Sequence, residues 1–186
     1  MKHTFLMMAV LVFFSVAQAQ PKPTDLDRSP LDVSYYPPNY PILKMSGKAN
    51  GEPMARVLYS RPQKKERNIF GGEVKYNEIW RIGANESTEI ELYKNAVLGN
   101  TKVPKGRYTL FCIPTENKWT IILNKDNYMW GSFSYKSEKD AARIEVPVEK
   151  NDVEVEALTI YFQNNGKPGL VIMWDTTKAL IPITFQ

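Results

Sequence analysis

Between Tyr59 and Ser87 the chain reads YSRPQKKERNIFGGEVKYNEIWRIGANES, a stretch dense in residue types that can do chemistry. Arg61, Arg67 and Arg81 occur here with Glu73, Glu78, Glu86 and Asn85, and with the rings of Tyr59, Tyr76 and Trp80. A guanidinium presents a fork of donors matched to carboxylates, and rings supply the apolar walls of a pocket. Tyr59, Arg61, Arg67, Trp80, Arg81, Asn85 and Glu86 are therefore candidate binding residues for a small polar or anionic ligand, such as a sugar or a carboxylate. The same residue types equally build a framework. Arg81 could be clamped to Glu86 or Glu78, and Gly83-Ala84-Asn85 reads as a turn whose polar groups serve the backbone just before a strand. The residues support both readings.

What the chain lacks narrows its chemistry further. Its only histidine is His3, which falls in a leader segment, so no Ser-His-Asp or Cys-His site can be built downstream of it. Zinc sites and the two-His-one-carboxylate iron site are excluded for the same reason, and neither a metal nor a cofactor is expected. Only an all-oxygen calcium or magnesium site would suit the remaining ligands. Carboxylates, Lys, Tyr and Arg remain for catalysis. Glu86 is the single candidate acid or base, and a glycosidase would need a second carboxylate such as Glu78 or Glu89. Glu89 alternates with apolar residues and is expected to face solvent. Cys112, the one cysteine, lies in YTLFCIP and reads as a small buried filler rather than a nucleophile.

The elements that must position these residues are strands. A positive start at Lys2, an apolar run from Thr4 to Val16 and the small-x-small site Ala17-Gln18-Ala19 make residues 1–19 a secretory signal. No cysteine follows the cut, so the protein is expected to be exported to periplasm or medium, without a lipid anchor and without membrane insertion. Lys and Arg number 24 against 20 Asp and Glu, interleaved along the chain, which is an ordinary solvated surface and not a nucleic-acid footprint. Residues 20–41 carry six prolines and read as an extended arm with its tyrosines on the domain surface.

From Met54 onward the apolar period is two. Ala55, Val57 and Tyr59 share a face, as do Thr88, Ile90 and Leu92. Gly99-Asn100-Thr101 marks a hairpin, and WTIIL is apolar on both faces, hence central. Phe133 and Tyr135 alternate with serines and read as another strand. Pro147 suggests an edge, a parity switch suggests a bulge near Ala157, and Asp175-Thr176-Thr177 suggests a reversal after LVIMW. About ten short strands result, with no helical run of useful length. The fold class is all-β: one antiparallel, jelly-roll-like β-sandwich domain over 42–186.

A second constellation, WGSFSYKSEKDAAR, holds Trp130, Gly131, Tyr135, Asp140 and Arg143. It reads as structural, with the Trp130 ring folded onto the sandwich at Gly131 and Asp140 paired to Arg143. Asn85-Glu86-Ser87 also matches the N-glycosylation pattern.

YSRP, R-x-IFG at Arg67–Gly71, WR-x-GANE, KGRYTLFCIP, KWTIILNKD, WGSFSYKSEKD and the closing W-x-x-TK-x-x-x-P together carry a family likeness. The set resembles the secreted family catalogued as domain of unknown function 2911, frequent in Bacteroidetes, over nearly the whole chain from about Leu26. The resemblance implies an exported single-domain β-sandwich and assigns no activity. Lys65-Glu66-Arg67 departs from the K-G-R that commonly precedes IFG, losing a flexible glycine and keeping the arginine. The functional expectation is a binding module around WRIGANE. The alternatives are a carboxylate-dependent enzyme on carbohydrate, or an interaction protein of the cell envelope using the YYPPNYP arm.

Overall fold

Nine antiparallel strands carry the chain in the computed structural model, which describes residues 24–186. They are β1 Leu31–Tyr36, β2 Ala55–Ser60, β3 Glu89–Leu92, β4 Ala96–Leu98, β5 Thr101–Val103, β6 Gly106–Pro114, β7 Lys118–Asn124, β8 Asp140–Gln163 and β9 Gly169–Phe185. The one α-helix among the described residues, α1 Tyr40–Met45, has Pro41 in its first turn. The signal read at 1–19 and the start of the arm lie outside the described residues.

The strand order is β1-β2-β3-β6-β7-β8-β9-β4-β5, one continuous sheet. It folds into two packed layers because β8 serves both. Residues 140–147 of β8 pair with β7, and from Val148 the strand pairs with β9. The layers meet again beyond β2, where Lys64 donates its backbone N–H to Glu156 O at 2.6 Å and Leu158 donates to Pro62 O at 3.0 Å. Val57 and Ile90 of one layer and Ile160, Phe162, Leu170 and Ile172 of the other belong to a single buried cluster. The protein is thus all-β, antiparallel and single-domain, a sandwich whose layers are joined through long strands.

Alternation places the side chains as expected on β2 and β3: Ala55, Val57 and Tyr59 are buried, as are Thr88, Ile90 and Leu92. Val97-Leu98 and Lys102-Val103 do flank a two-residue turn. WTIIL is central, bonded to β6 on one side and β8 on the other. Its second apolar face is used too, since Phe111 and Ile122 form a smaller core with Met129, packed by Ile79, Ile113 and Tyr135.

Several local expectations need correction. Phe133 and Tyr135 lie in a loop, not a strand. Pro147 is not on an edge strand; it stands where β8 leaves β7 for β9, at a position whose N–H is needed by neither ladder. Asp175-Thr176-Thr177 does not reverse the chain. Asp175 takes a left-handed φ of 56° and kinks β9 opposite a bulge in β8, so the two runs expected around it are one strand. The bulge expected near Ala157 is present, between Val155 and Thr159. The arm is part of the sheet from Leu31 as edge strand β1, with Tyr35 and Tyr36 half-buried and Tyr40 buried. Tyr36 packs 4.9 Å from the Phe185 ring, and buried Tyr40 donates its hydroxyl to Gly51 O at 2.8 Å.

Candidate functional site

WRIGANE is a tightly satisfied turn. Trp80 is 7% exposed and stacks on Trp174 at 6.2 Å, with Trp119 and Phe70 edge-on at 5.8 and 5.7 Å. Its backbone exchanges two 2.8 Å hydrogen bonds with Cys112, itself buried, with burial pushing the thiol well up. Beyond it the buried Ser60 hydroxyl donates to Ala84 O at 2.6 Å and accepts from Ala84 N at 2.7 Å. The Thr88 hydroxyl donates to Ile82 O at 2.6 Å. Asn85 adopts a left-handed φ of 58°, and its amide donates to Asp27 at 2.9 Å. The turn's backbone is thus satisfied by Ser60 and Thr88, and the Asn85 amide is spent on the arm.

The remaining candidates are not gathered around it. Tyr59 and Arg61 meet at Asp32, whose carboxylate accepts from the tyrosine hydroxyl at 3.3 Å and from Arg61 Nη1 at 3.2 Å. Arg61 also donates to Leu158 O at 3.3 Å and to the Thr159 hydroxyl at 3.1 Å, stapling β1, β2 and β8. Arg67 folds over its own loop, donating to Glu73 at 2.9 Å, Lys64 O at 3.1 Å and Gln63 O at 2.5 Å. Glu86 is exposed and bridges through its backbone to Trp130. Tyr59, Arg61, Arg67, Trp80 and Asn85 thus end on different elements with partners of their own, and none of the five lines the groove over β2, β3 and β6.

Nor is Arg81 clamped to Glu78 or Glu86. Among the described residues it forms no ion pair, its Nε is buried without a hydrogen-bond partner, and burial lowers its pKa. A cation desolvated without compensation costs stability, so an apolar stem of similar length should do as well or better. Arg81→Met is expected to leave the denaturation free energy unchanged or raise it by about 1 kcal/mol.

An open groove lies instead on the outer face of β2, β3 and β6. Two lobes, each of about 220 Å³, share Leu58, Glu89 and Tyr128 as walls. Register builds the floor of the first: Arg56, Glu91 and Arg107 stand opposite one another on adjacent strands. Arg56 contacts Glu91 at 2.8 Å, Arg107 lies 3.5 Å from its other oxygen, and the Tyr93 hydroxyl donates to it at 2.9 Å. Burial alone would raise the Glu91 carboxyl, but the Tyr93 hydrogen bond and the two arginines outweigh it and hold Glu91 below the usual range. Burial and the Glu91 bond together push Tyr93 up to about 12. Arg107 donates to the Tyr128 hydroxyl at 2.6 Å, with its guanidinium 5.4 Å from that ring's centre. The second lobe adds Leu31, Glu86, Ser87 and Met129. Of the expected binding residues, only Glu86 reaches the groove, where it is joined by Glu89, considered from sequence as a possible second carboxylate.

WRIGANE nevertheless positions it. Ser87 N donates to Met129 O at 2.9 Å, its hydroxyl donates to Gly131 O at 2.5 Å, and Gly131 N donates to Asn85 O at 2.9 Å. Tyr128 N donates to Glu89 at 2.8 Å and the Thr109 hydroxyl to Asp126 O at 2.6 Å. Farther along, Asp140 accepts from Asn124 at 2.8 Å, Tyr135 at 2.7 Å and Arg143 at 2.8 Å, so the expected Asp140–Arg143 pair is present. The loop after β7 is thus pinned at both ends. It holds three rings outward: Tyr128, Trp130 and Phe133 are 81%, 61% and 89% exposed. The bend at Gly131 is real, with φ 68°, but Trp130 does not fold onto the sandwich, because buried Met129 takes that place.

Sequence reasoning missed Arg56, Leu58, Glu91, Arg107 and Tyr128. The available signal was charge on the outward positions of otherwise apolar strands, in Arg56, in Glu89-x-Glu91 and in Arg107.

Among the described residues no helix is long and apolar enough to cross a membrane. No curated protein and no solved structure matches the chain. A family model described as "Protein of unknown function (DUF2911)" matches residues 42–183, from within α1 to the point on β9 where its pairing with β4 begins. With the match spanning both layers, the groove floor and the aromatic loop, the chain belongs to the DUF2911 family.

Proposed function

We propose that the protein is an exported binding module that takes a neutral sugar in the groove over β2, β3 and β6. The observation that carries this reading is the compensated floor. Both groove arginines are already engaged, Arg56 by Glu91 and Arg107 by Glu91 and Tyr128, while Glu86 and Glu89 add negative charge at the walls. Among the described residues an anion would find no unengaged cation lining the groove, so the carboxylate ligand considered from sequence is the weaker option. A sugar brings hydroxyls that bond to oriented carboxylates and guanidinium edges, and C–H faces that lie against Tyr128, Leu58 and Leu31. The network is ordered before any ligand arrives, which lowers the entropic cost of binding. Export is supported by the Lys2-to-Ala19 pattern.

Glu91, held down by the Tyr93 bond and two arginines, is suited to accepting a ligand hydroxyl rather than to donating a proton. The test is calorimetric titration with a panel of mono- and disaccharides. Tyr128→Ala and Glu89→Gln should each weaken binding about tenfold or more, while Arg67→Ala leaves it unchanged. Equal loss in Arg67→Ala, or no loss in the groove variants, would refute the assignment.

A further inference from the structure

Two of the outward rings lie beyond the groove lobes, and these carry a second step that rests on the sugar-binding reading. Trp130 follows directly from the lobe lined by Glu86 and Met129, since Glu86 and Trp130 bridge through their backbones. Phe133 comes next, its ring set against Gly131 so closely that a Cβ there would stand 2.7 Å from its Cε2. Gly131 has φ 68°, a backbone state that glycine tolerates and other residues resist. The loop backbone is tied down through Ser87, Asn85 and Gly131, so the rings are presented on a fixed support. Side chains that large, held in water on an anchored loop, mark a contact surface.

We propose that Trp130 and Phe133 extend the groove into a platform for successive units of a glycan chain, so that the ligand is an oligo- or polysaccharide rather than a free monosaccharide. A flat ring presents a negative face to the weakly positive C–H face of a sugar, and a row of rings accepts repeating units without reading each one. The acidic groups beside the rings, Glu86 and Glu89, oppose an anionic bilayer, and the compensated arginines oppose a polyanion. A neutral chain fits the charge of the groove and its walls.

The experiment titrates the wild type and the Trp130→Ala/Phe133→Ala double variant with glucan, xylan, mannan and galactan oligomers from disaccharide to hexasaccharide. Anionic phosphatidylglycerol vesicles form a separate arm. In the wild type, affinity for one series should rise roughly tenfold or more with length. The double variant should keep the disaccharide affinity and lose that gain. Denaturation confirms that it folds, as expected for two exposed side chains. Disaccharide binding with no gain in length would overturn the platform and leave the groove reading standing. No binding to any oligomer would overturn both. Vesicle binding abolished in the double variant, with flat oligomer affinities, would make the rings a membrane contact and refute the platform.

Discussion

Replacing Trp80 by alanine should lower the unfolding free energy by about 3–5 kcal/mol, the range for emptying a large aromatic site in a core. Its ring stacks on Trp174 and meets Trp119 and Phe70 edge-on, so three aromatic side chains lose a shared partner at once. Surrounding indoles cannot collapse into the space without leaving their own rotamers, which places the cost in the upper part of that range. The same substitution in a ligand pocket would be near neutral for the free protein. Chemical denaturation with an unchanged slope distinguishes the two outcomes, and a loss under about 1 kcal/mol would return Trp80 to the list of pocket walls.

Gly83→Ala should cost about 2–4 kcal/mol although it adds only a methyl group. A Cβ at position 83 would stand 2.6 Å from the Ser60 hydroxyl and 3.5 Å from that of Thr88. Ser60 cannot yield freely, because its hydroxyl is the donor to Ala84 O and the acceptor from Ala84 N. Moving it orphans two backbone groups beside a buried strand end, and each such group costs about 1–3 kcal/mol. The displaced turn also carries Asn85 and Ser87, which hold the aromatic loop, so sugar affinity should fall with stability. Glu86→Gln, on an exposed side chain, should change stability by less than about 0.5 kcal/mol. Tolerance of Gly83→Ala equal to that of Glu86→Gln would show that the turn is not a framework element.

The fold was largely legible because alternation reports burial directly. Ala55, Val57 and Tyr59, and Thr88, Ile90 and Leu92, point inward as their spacing requires. What misled were residues whose types serve two geometries. Asp175-Thr176-Thr177 suits a reversal and equally suits a kink in a continuing strand, and only the partner bulge in β8 decides between them. Phe133 and Tyr135 alternate like a strand, yet Tyr135 packs on Phe111 at 5.1 Å while Phe133 points into solvent.

The site was less legible for a related reason. WRIGANE has the residue types of a pocket, and whether those groups are free depends on partners distant in sequence, Ser60, Asp27 and Trp174 among them. The groove depends on register. Arg56, Glu91 and Arg107 become neighbours only when β2, β3 and β6 pair in this alignment, and a slip of one residue would turn Glu91 into the core. Tyr128 reaches the groove through a left-handed backbone at φ 62°, which no spacing rule would select for a tyrosine.

The most direct test of the division between framework and site is backbone amide shift mapping of the isotope-labelled protein titrated with the oligosaccharide panel. Shifts at Leu58, Glu89 and Tyr128, continuing to Trp130 and Phe133 with the longer chains, with Arg61 and Arg67 unmoved, are the predicted result. Shifts centred on Arg61, Arg67 and Arg81 with the groove silent, or no shifts with any oligomer, would contradict it.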